Sequence, residues 1–247
     1  MNTNRQTTVI QGNNKEHTMK ITASSLIRWA GLSAMLAGIF YVAVGLFHPL
    51  ETLASATTTR WIIVHALATA MCFFGMLGMA GLYARQVKAV GWLGLAGYLL
   101  MSLFYALTAP YTFAEAVILP LWATTAPTFV AGFLGLFNGH PTEMNLGALA
   151  ALYSLSGIVY IFGGLLFGFA TFRAGILPRG AAGLLAVGTV LSPVAALLPQ
   201  EHKALVAVPV GVALAWLGYA LSSEQREHAS EPVAGRANPQ FHPTAAE

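Results

Sequence analysis

Apolar runs of about twenty residues recur along this chain, separated by short polar or proline-containing punctuation. The clearest lies between Arg60 and Arg85, where 24 consecutive positions are apolar or small apart from His65 and Thr69. At about 1.5 Å per residue such a run makes a helical rod of roughly 36 Å, long enough to cross a bilayer. The same length criterion predicts helical spans over residues 27–47, 60–84, 89–109, 145–172, 179–198 and 203–222. The predicted fold class is therefore all-α, a polytopic integral membrane bundle of six transmembrane helices. Residues 25–222 form the transmembrane domain, flanked by polar segments at 1–24 and 223–247 that lack apolar periodicity and read as disordered tails.

Two stretches resist this reading. From Met19 onward, Lys20 and Arg28, an apolar run and then Ala54-Ser55-Ala56 imitate a cleavable secretory signal. The run from Trp29 to Phe47 exceeds the ~7–15 residues of a signal core, so it is read as the first span. Residues 110–144 are apolar enough to make a seventh span, but Pro120 and Pro127 cut them into pieces too short to cross. They are read as a cap of short helices on the extracytoplasmic side, and Pro110 is expected to bend or end the third span.

Composition agrees with a membrane setting and charge orients it. Only 9% of residues are charged and 56% are hydrophobic, against roughly 25% charged in soluble domains. The net charge of +3 has no basic patch behind it, which argues against a nucleic-acid partner and leaves the lipid bilayer as the main one. With six spans and cytoplasmic termini, ten of the 12 Lys and Arg residues fall on the cytoplasmic side, with Arg60 and Lys203 outside. A seventh span would reduce that bias to seven against five, so the positive-inside rule favours six spans in the cytoplasmic (inner) membrane. The single cysteine, Cys72, excludes an intrachain disulfide and a cysteine-based metal site. No phosphate-binding loop, span lysine for a retinal Schiff base or filter sequence is present, which sets aside nucleotide-driven pumps, retinal proteins and ion channels.

Small residues mark the faces that pack on other helices. Gly31, Gly38 and Gly45 recur every seven residues on the first span, and Tyr41 and His48 share their stripe. On the second span His65 shares a face with Ala68, Thr69, Cys72 and Gly75. The third carries Tyr98, Ser102, Tyr105, Thr108, Thr112 and Glu115 at steps of three or four. The fourth aligns Tyr153, Gly157, Tyr160, Gly164 and Gly168. These periodicities aim His48, His65 and Glu115 inward at the extracytoplasmic end, where Glu51, Arg60, His140 and Glu143 also fall.

Several chemistries fit that set. His48, His65 and Glu115 could hold a divalent metal, because imidazole and carboxylate suit zinc or non-haem iron. His48 and His65 could instead be axial ligands of a haem, with Tyr41 and Tyr105 lining a cofactor site. His65 and Glu115 could also do acid–base work on a lipid-soluble small molecule. Each residue has a plain structural reading too. His48 beside Pro49 can hydrogen-bond a free helix-end carbonyl, and Arg60 can either pair with Glu115 as a clamp or snorkel at the interface, as an interfacial Trp61 beside it suggests. Glu51, His140, Glu143, Glu201, His202 and Lys203 read as solvated turn residues, and Cys72 as core.

The hairpin Gly168-Phe-Ala-Thr-Phe-Arg173-Ala-Gly-Ile-Leu-Pro178-Arg179, the His48-Pro49 turn and Ala114–Pro127 resemble a broad group of small bacterial membrane proteins with about six spans. The resemblance covers most of residues 25–222 and implies a fold; it brings no activity and no functional residue with it. The leading expectation is binding of a small apolar ligand, lipid or cofactor at the His/Glu end. A transporter of a hydrophobic compound and a non-catalytic anchoring subunit are the alternatives.

Overall fold

A computed structural model of the chain describes residues 22–138 and 144–230, with the side chains of 225–230 left aside. The expectations placed on His140, Glu143, residues 1–21 and residues 231–247 lie outside the described residues.

Among the described residues every element is helical. Helix α1 (Ala23–Phe47) starts at Thr22, which forms a reciprocal capping box with Ser25, and ends at His48. His48 precedes a proline and takes φ −59°, ψ 125°, outside the helical region as a pre-proline residue prefers. A one-turn helix, α2 (Leu53–Ala56), follows, capped by Thr52. Thr58 then caps α3 (Thr59–Phe113) by accepting from the Trp61 amide.

Helix α3 is broken at Gln86 and at Gly91. Gly91 takes φ 56°, ψ −155°, a conformation that a side chain would strain. The two arms, 59–85 and 92–113, fold back antiparallel. Thr69 donates to Thr112 across the pair at 3.1 Å, and a Cβ on Gly75 would strike the Tyr105 ring at 2.5 Å. The second arm runs through Pro110, whose ring lies on the exposed side of the helix. It continues into a π-helical turn (Ala114–Ile118) and then α4 (Leu119–Trp122). Of the expectation that Pro110 bends or ends this helix, the ending is corrected: helical backbone continues through Pro110, and Glu115 sits on the π turn that follows it without a break.

Next come α5 (Pro127–Asn138), α6 (Ala148–Ala174) and α7 (Arg179–Val190). Gly175 ends α6 in the left-handed conformation, φ 65°. The last two predicted spans are less regular than the hydropathy implies. α7 passes into a 3₁₀ segment (Ser192–Leu197), and a second one (Gln200–Ala207) leads into α8 (Val208–Ser230). Four stretches are long and apolar enough to cross a membrane: Ala23–Phe47, Thr59–Trp122, Ala148–Ala174 and Gln200–Glu224. The second of these contains both arms of the α3 hairpin.

The glycine stripe of α1 packs on α8. A Cβ on Gly38 would collide with the Ala215 amide nitrogen, and one on Gly218 of α8 with that of Met35. Such backbone approach is how helices gain packing energy in a solvent as apolar as their own side chains. The main apolar cluster joins α1, α3, α6, α7 and α8 and contains Tyr41, Tyr105 and Tyr160. A second cluster gathers Ala56, Trp61, Tyr111, Leu119, Val130, Phe133 and Leu134, so that α2, α4 and α5 pack at the Trp61 end of α3.

Candidate functional site

Where α1 ends and α3 begins, the pre-proline turn sets His48 beside Glu51. His48 Nδ1 donates to the Pro49 carbonyl at 2.8 Å, and its Nε2 lies 3.5 Å from Glu51 Oε1. One turn into α3, His65 Nδ1 donates to the Trp61 carbonyl at 2.9 Å, and its Nε2 lies 3.6 Å from Glu115 Oε2. A carbonyl can only accept, so in each neutral imidazole the proton is on Nδ1 and Nε2 carries the lone pair. The two rings meet edge to face with centroids 5.1 Å apart. Donor atoms of His48, Glu51 and His65 all lie within 4.8 Å of one another.

Trp61 holds the inner half of this cluster. Its ring stacks on His65 at 4.0 Å, and its indole N–H donates to the Glu115 main-chain carbonyl at 2.7 Å. That bond ties the start of the first α3 arm to the π turn after the second. π turns are rare and recur at functional sites because they reorient a side chain within an otherwise regular helix. Here the turn carries Glu115, which is 3% exposed, against His65, which is 2% exposed.

The arrangement corrects three sequence expectations. Arg60 does not clamp Glu115: it is exposed, and its Nε donates to the Phe47 carbonyl at 3.0 Å, closing the end of α1. Trp61 is fully buried rather than interfacial. Glu51 is not a solvated turn residue, because its side chain is only 11% exposed. Burial pushes the Glu51 carboxyl up to about 8. Burial also lowers His48 from its ordinary value; the bond to Pro49 opposes that trend and the Arg60 charge adds to it.

Beside the cluster lies a cavity of about 420 Å³. His48, Glu51, His65 and Glu115 line it, together with Tyr41, Thr108 and Thr112 and the apolar Val44, Met71, Phe104 and Phe137. Ser154 and Gly157 of α6 also line it and are exposed, so the cavity reaches the outside of the bundle there. A Cβ on Gly157 would meet nothing within 4 Å. Tyr105 is fully buried next to this space without lining it, and its hydroxyl has no hydrogen-bond partner among the described residues. Cys72 is buried in the core. Glu201 and His202 are exposed and Lys203 is partly exposed, on the second 3₁₀ segment.

Chemically, the cluster offers two imidazole lone pairs and two carboxyl groups at one end of an otherwise apolar space. A haem clamped between His48 and His65 does not fit this arrangement, because with ring centroids 5.1 Å apart the two imidazoles stand closer than two axial ligands on opposite faces of one iron. No protein-family model, curated protein or solved structure matches this chain.

Proposed function

We propose that this chain is an inner-membrane protein that binds a small, largely apolar molecule carrying one polar group, with the polar group at His65 and Glu115. The carrying observation is the shape and lining of the 420 Å³ cavity, apolar along most of its wall and ionisable at one end. Its volume falls in the range of small-molecule sites, about 300–1,000 Å³. The exposed edge at Ser154 and Gly157 belongs to α6, one of the span-length helices, and offers entry from the bilayer rather than from water.

In this reading the chain crosses six times, by α1, the two arms of α3, α6, α7 with its 3₁₀ continuation, and α8 with its 3₁₀ lead-in. Helices α2, α4 and α5 form an extracytoplasmic cap. The charge bias supports cytoplasmic termini: among the described residues Arg28, Arg85, Lys88, Arg173 and Arg179 fall on the side of the 85–91 turn and Arg60 and Lys203 on the other. The irregular 3₁₀ backbone at 192–207 supports a cavity there as well, since non-helical backbone at membrane depth is tolerated where it lines protein or a cavity.

The test is mass spectrometry of organic extracts from detergent-purified protein, set against Gly157→Phe, which puts a ring on the cavity wall where a Cβ meets no other atom within 4 Å. The expected result is a discrete apolar molecule in the unmodified protein. It should be depleted at least about tenfold in the variant, the loss that ~1.4 kcal/mol of steric exclusion produces. Extracts indistinguishable from bulk lipid in both proteins would remove the reading.

A further inference from the structure

The polar end of the cavity has the features of a ligand set rather than of a hydrogen-bonded cluster. His48 Nε2 to Glu51 Oε1 is 3.5 Å, and His65 Nε2 to Glu115 Oε2 is 3.6 Å. Both are too long for a good hydrogen bond. The first, between two donors that would share an ion, is close to the edge of a tetrahedron of donors bonded at ~2.0–2.1 Å, about 3.4 Å, and the donors of His48, Glu51 and His65 lie within 4.8 Å of one another. His65 Nε2 is buried and has no hydrogen-bond partner among the described residues, although a carboxylate stands beside it.

The tautomers point the same way. Metal-bound imidazoles usually give their second ring nitrogen's proton to a carbonyl or carboxylate, which fixes the ring and raises the basicity of the ligating nitrogen. Both histidines here have that arrangement, through Pro49 and Trp61. Trp61 adds a stacked wall that holds the His65 ring in place.

Charge supplies a second argument. Glu115 is 3% exposed in the cavity wall with the neutral His65 imidazole 3.6 Å away, and no Lys or Arg lines the cavity among the described residues. A carboxyl group removed from water needs a proton or a cation to neutralise it.

We propose that His48, Glu51 and His65 bind one divalent first-row transition-metal ion of the zinc or ferrous class, with Glu115 beside its open coordination positions. Two imidazoles and a carboxylate suit those ions; calcium and magnesium require mostly oxygen donors. The donors come from the end of α1, the turn after it and the first turns of α3, so the fold assembles the site from both sides of a short connection. The proposal deepens the ligand-binding reading and rests on it for what occupies the open positions, which face the apolar cavity.

The experiment uses the full chain in detergent, stripped with a chelator and titrated with cobalt(II), whose visible absorption reports coordination geometry, and then with zinc(II) in competition. One ion per chain is expected, with the tetrahedral or five-coordinate cobalt spectrum of a nitrogen–oxygen site. Glu51→Gln and His65→Gln should each weaken binding by at least about 100-fold, beyond the 10–100-fold typical of residues that only orient ligands. Glu224→Gln, at a carboxylate that pairs with Arg85 at the other end of the first α3 arm, should leave affinity unchanged. Retention of the unmodified melting profile by Glu51→Gln, which sits in a turn, separates ligand loss from misfolding. Absence of cobalt binding, or binding that survives both site substitutions, overturns the proposal. Gly157→Phe separates the two readings. If it loses the organic molecule and keeps the metal, both hold. Protein that co-purifies with an organic molecule but binds no cobalt refutes the metal site alone.

Discussion

Glu115 is held by its main chain as much as by its carboxyl group. The Trp61 indole takes its carbonyl, His65 faces its side chain, and the π turn aims both. The residue that sequence proximity would pair with it, Arg60, points away and closes α1. This division predicts the outcome of double-substitution cycles on stability in detergent. Arg60→Ala and Glu115→Gln should add to within ~0.5 kcal/mol, as independent sites do, whereas His65→Gln and Glu115→Gln should couple by about 0.5–3 kcal/mol. A strong Arg60–Glu115 coupling would contradict the arrangement described here. Of the cluster, His48, His65 and Glu115 were legible from helical spacing alone, since period and stripe place them on inward faces. Glu51 and Trp61 were not. A glutamate in a four-residue turn and a tryptophan at a helix start both carry ordinary surface readings, and only the fold-back of α3 buries them.

At the scale of the helix, glycines divide into those that permit contact and those that leave space. Gly38 lies against the α8 backbone, where any side chain would collide with the Ala215 amide nitrogen, while Gly157 faces open space. Gly38→Val should therefore force α1 and α8 apart. Its expected cost is about 1–3 kcal/mol or more, the usual penalty of overpacking, read as a lowered melting temperature in detergent. Gly157→Ala should change that temperature little. Equal effects from the two would show that the glycine stripe does not discriminate a packed face from a cavity wall. Sequence periodicity foresaw the first role, because small residues every seven positions make a stripe on any helix. It could not foresee the second, since Gly157 sits in the same kind of stripe with Gly164 and Gly168. Gly168 contacts α7, where a Cβ would lie 2.7 Å from the Ala186 nitrogen.

For the molecule as a whole, crossing number follows from where the backbone reverses. Thr59–Trp122 is a single 64-residue apolar stretch by length and composition, yet Gln86 and Gly91 fold it into two arms. The six-crossing reading predicts the labelling of single cysteines, introduced after Cys72→Ser, by a membrane-impermeant thiol reagent in intact cells. Thr57→Cys and Leu197→Cys should react from outside. Ala89→Cys, in the α3 turn, should react only after the membrane is permeabilised. Reaction of Ala89→Cys from outside would invert the topology, and protection of Leu197→Cys would remove the last pair of crossings.

Hydropathy alone determined that this chain has helices long and apolar enough to cross a membrane and where those four stretches lie, because the length of an apolar run is set against a bilayer of nearly constant thickness. Helical period likewise determined which faces turn inward, because spacing maps onto angle within a single helix. Tertiary structure decided the rest. The depth and rotation at which helices dock are set by backbone approach between distant segments, and those choices paired Glu115 with His65 instead of Arg60 and drew Glu51 into the cluster. They also carried the third helix through Pro110 and left a cavity beside Gly157. No local pattern encodes such choices, since each depends on what another part of the chain places opposite.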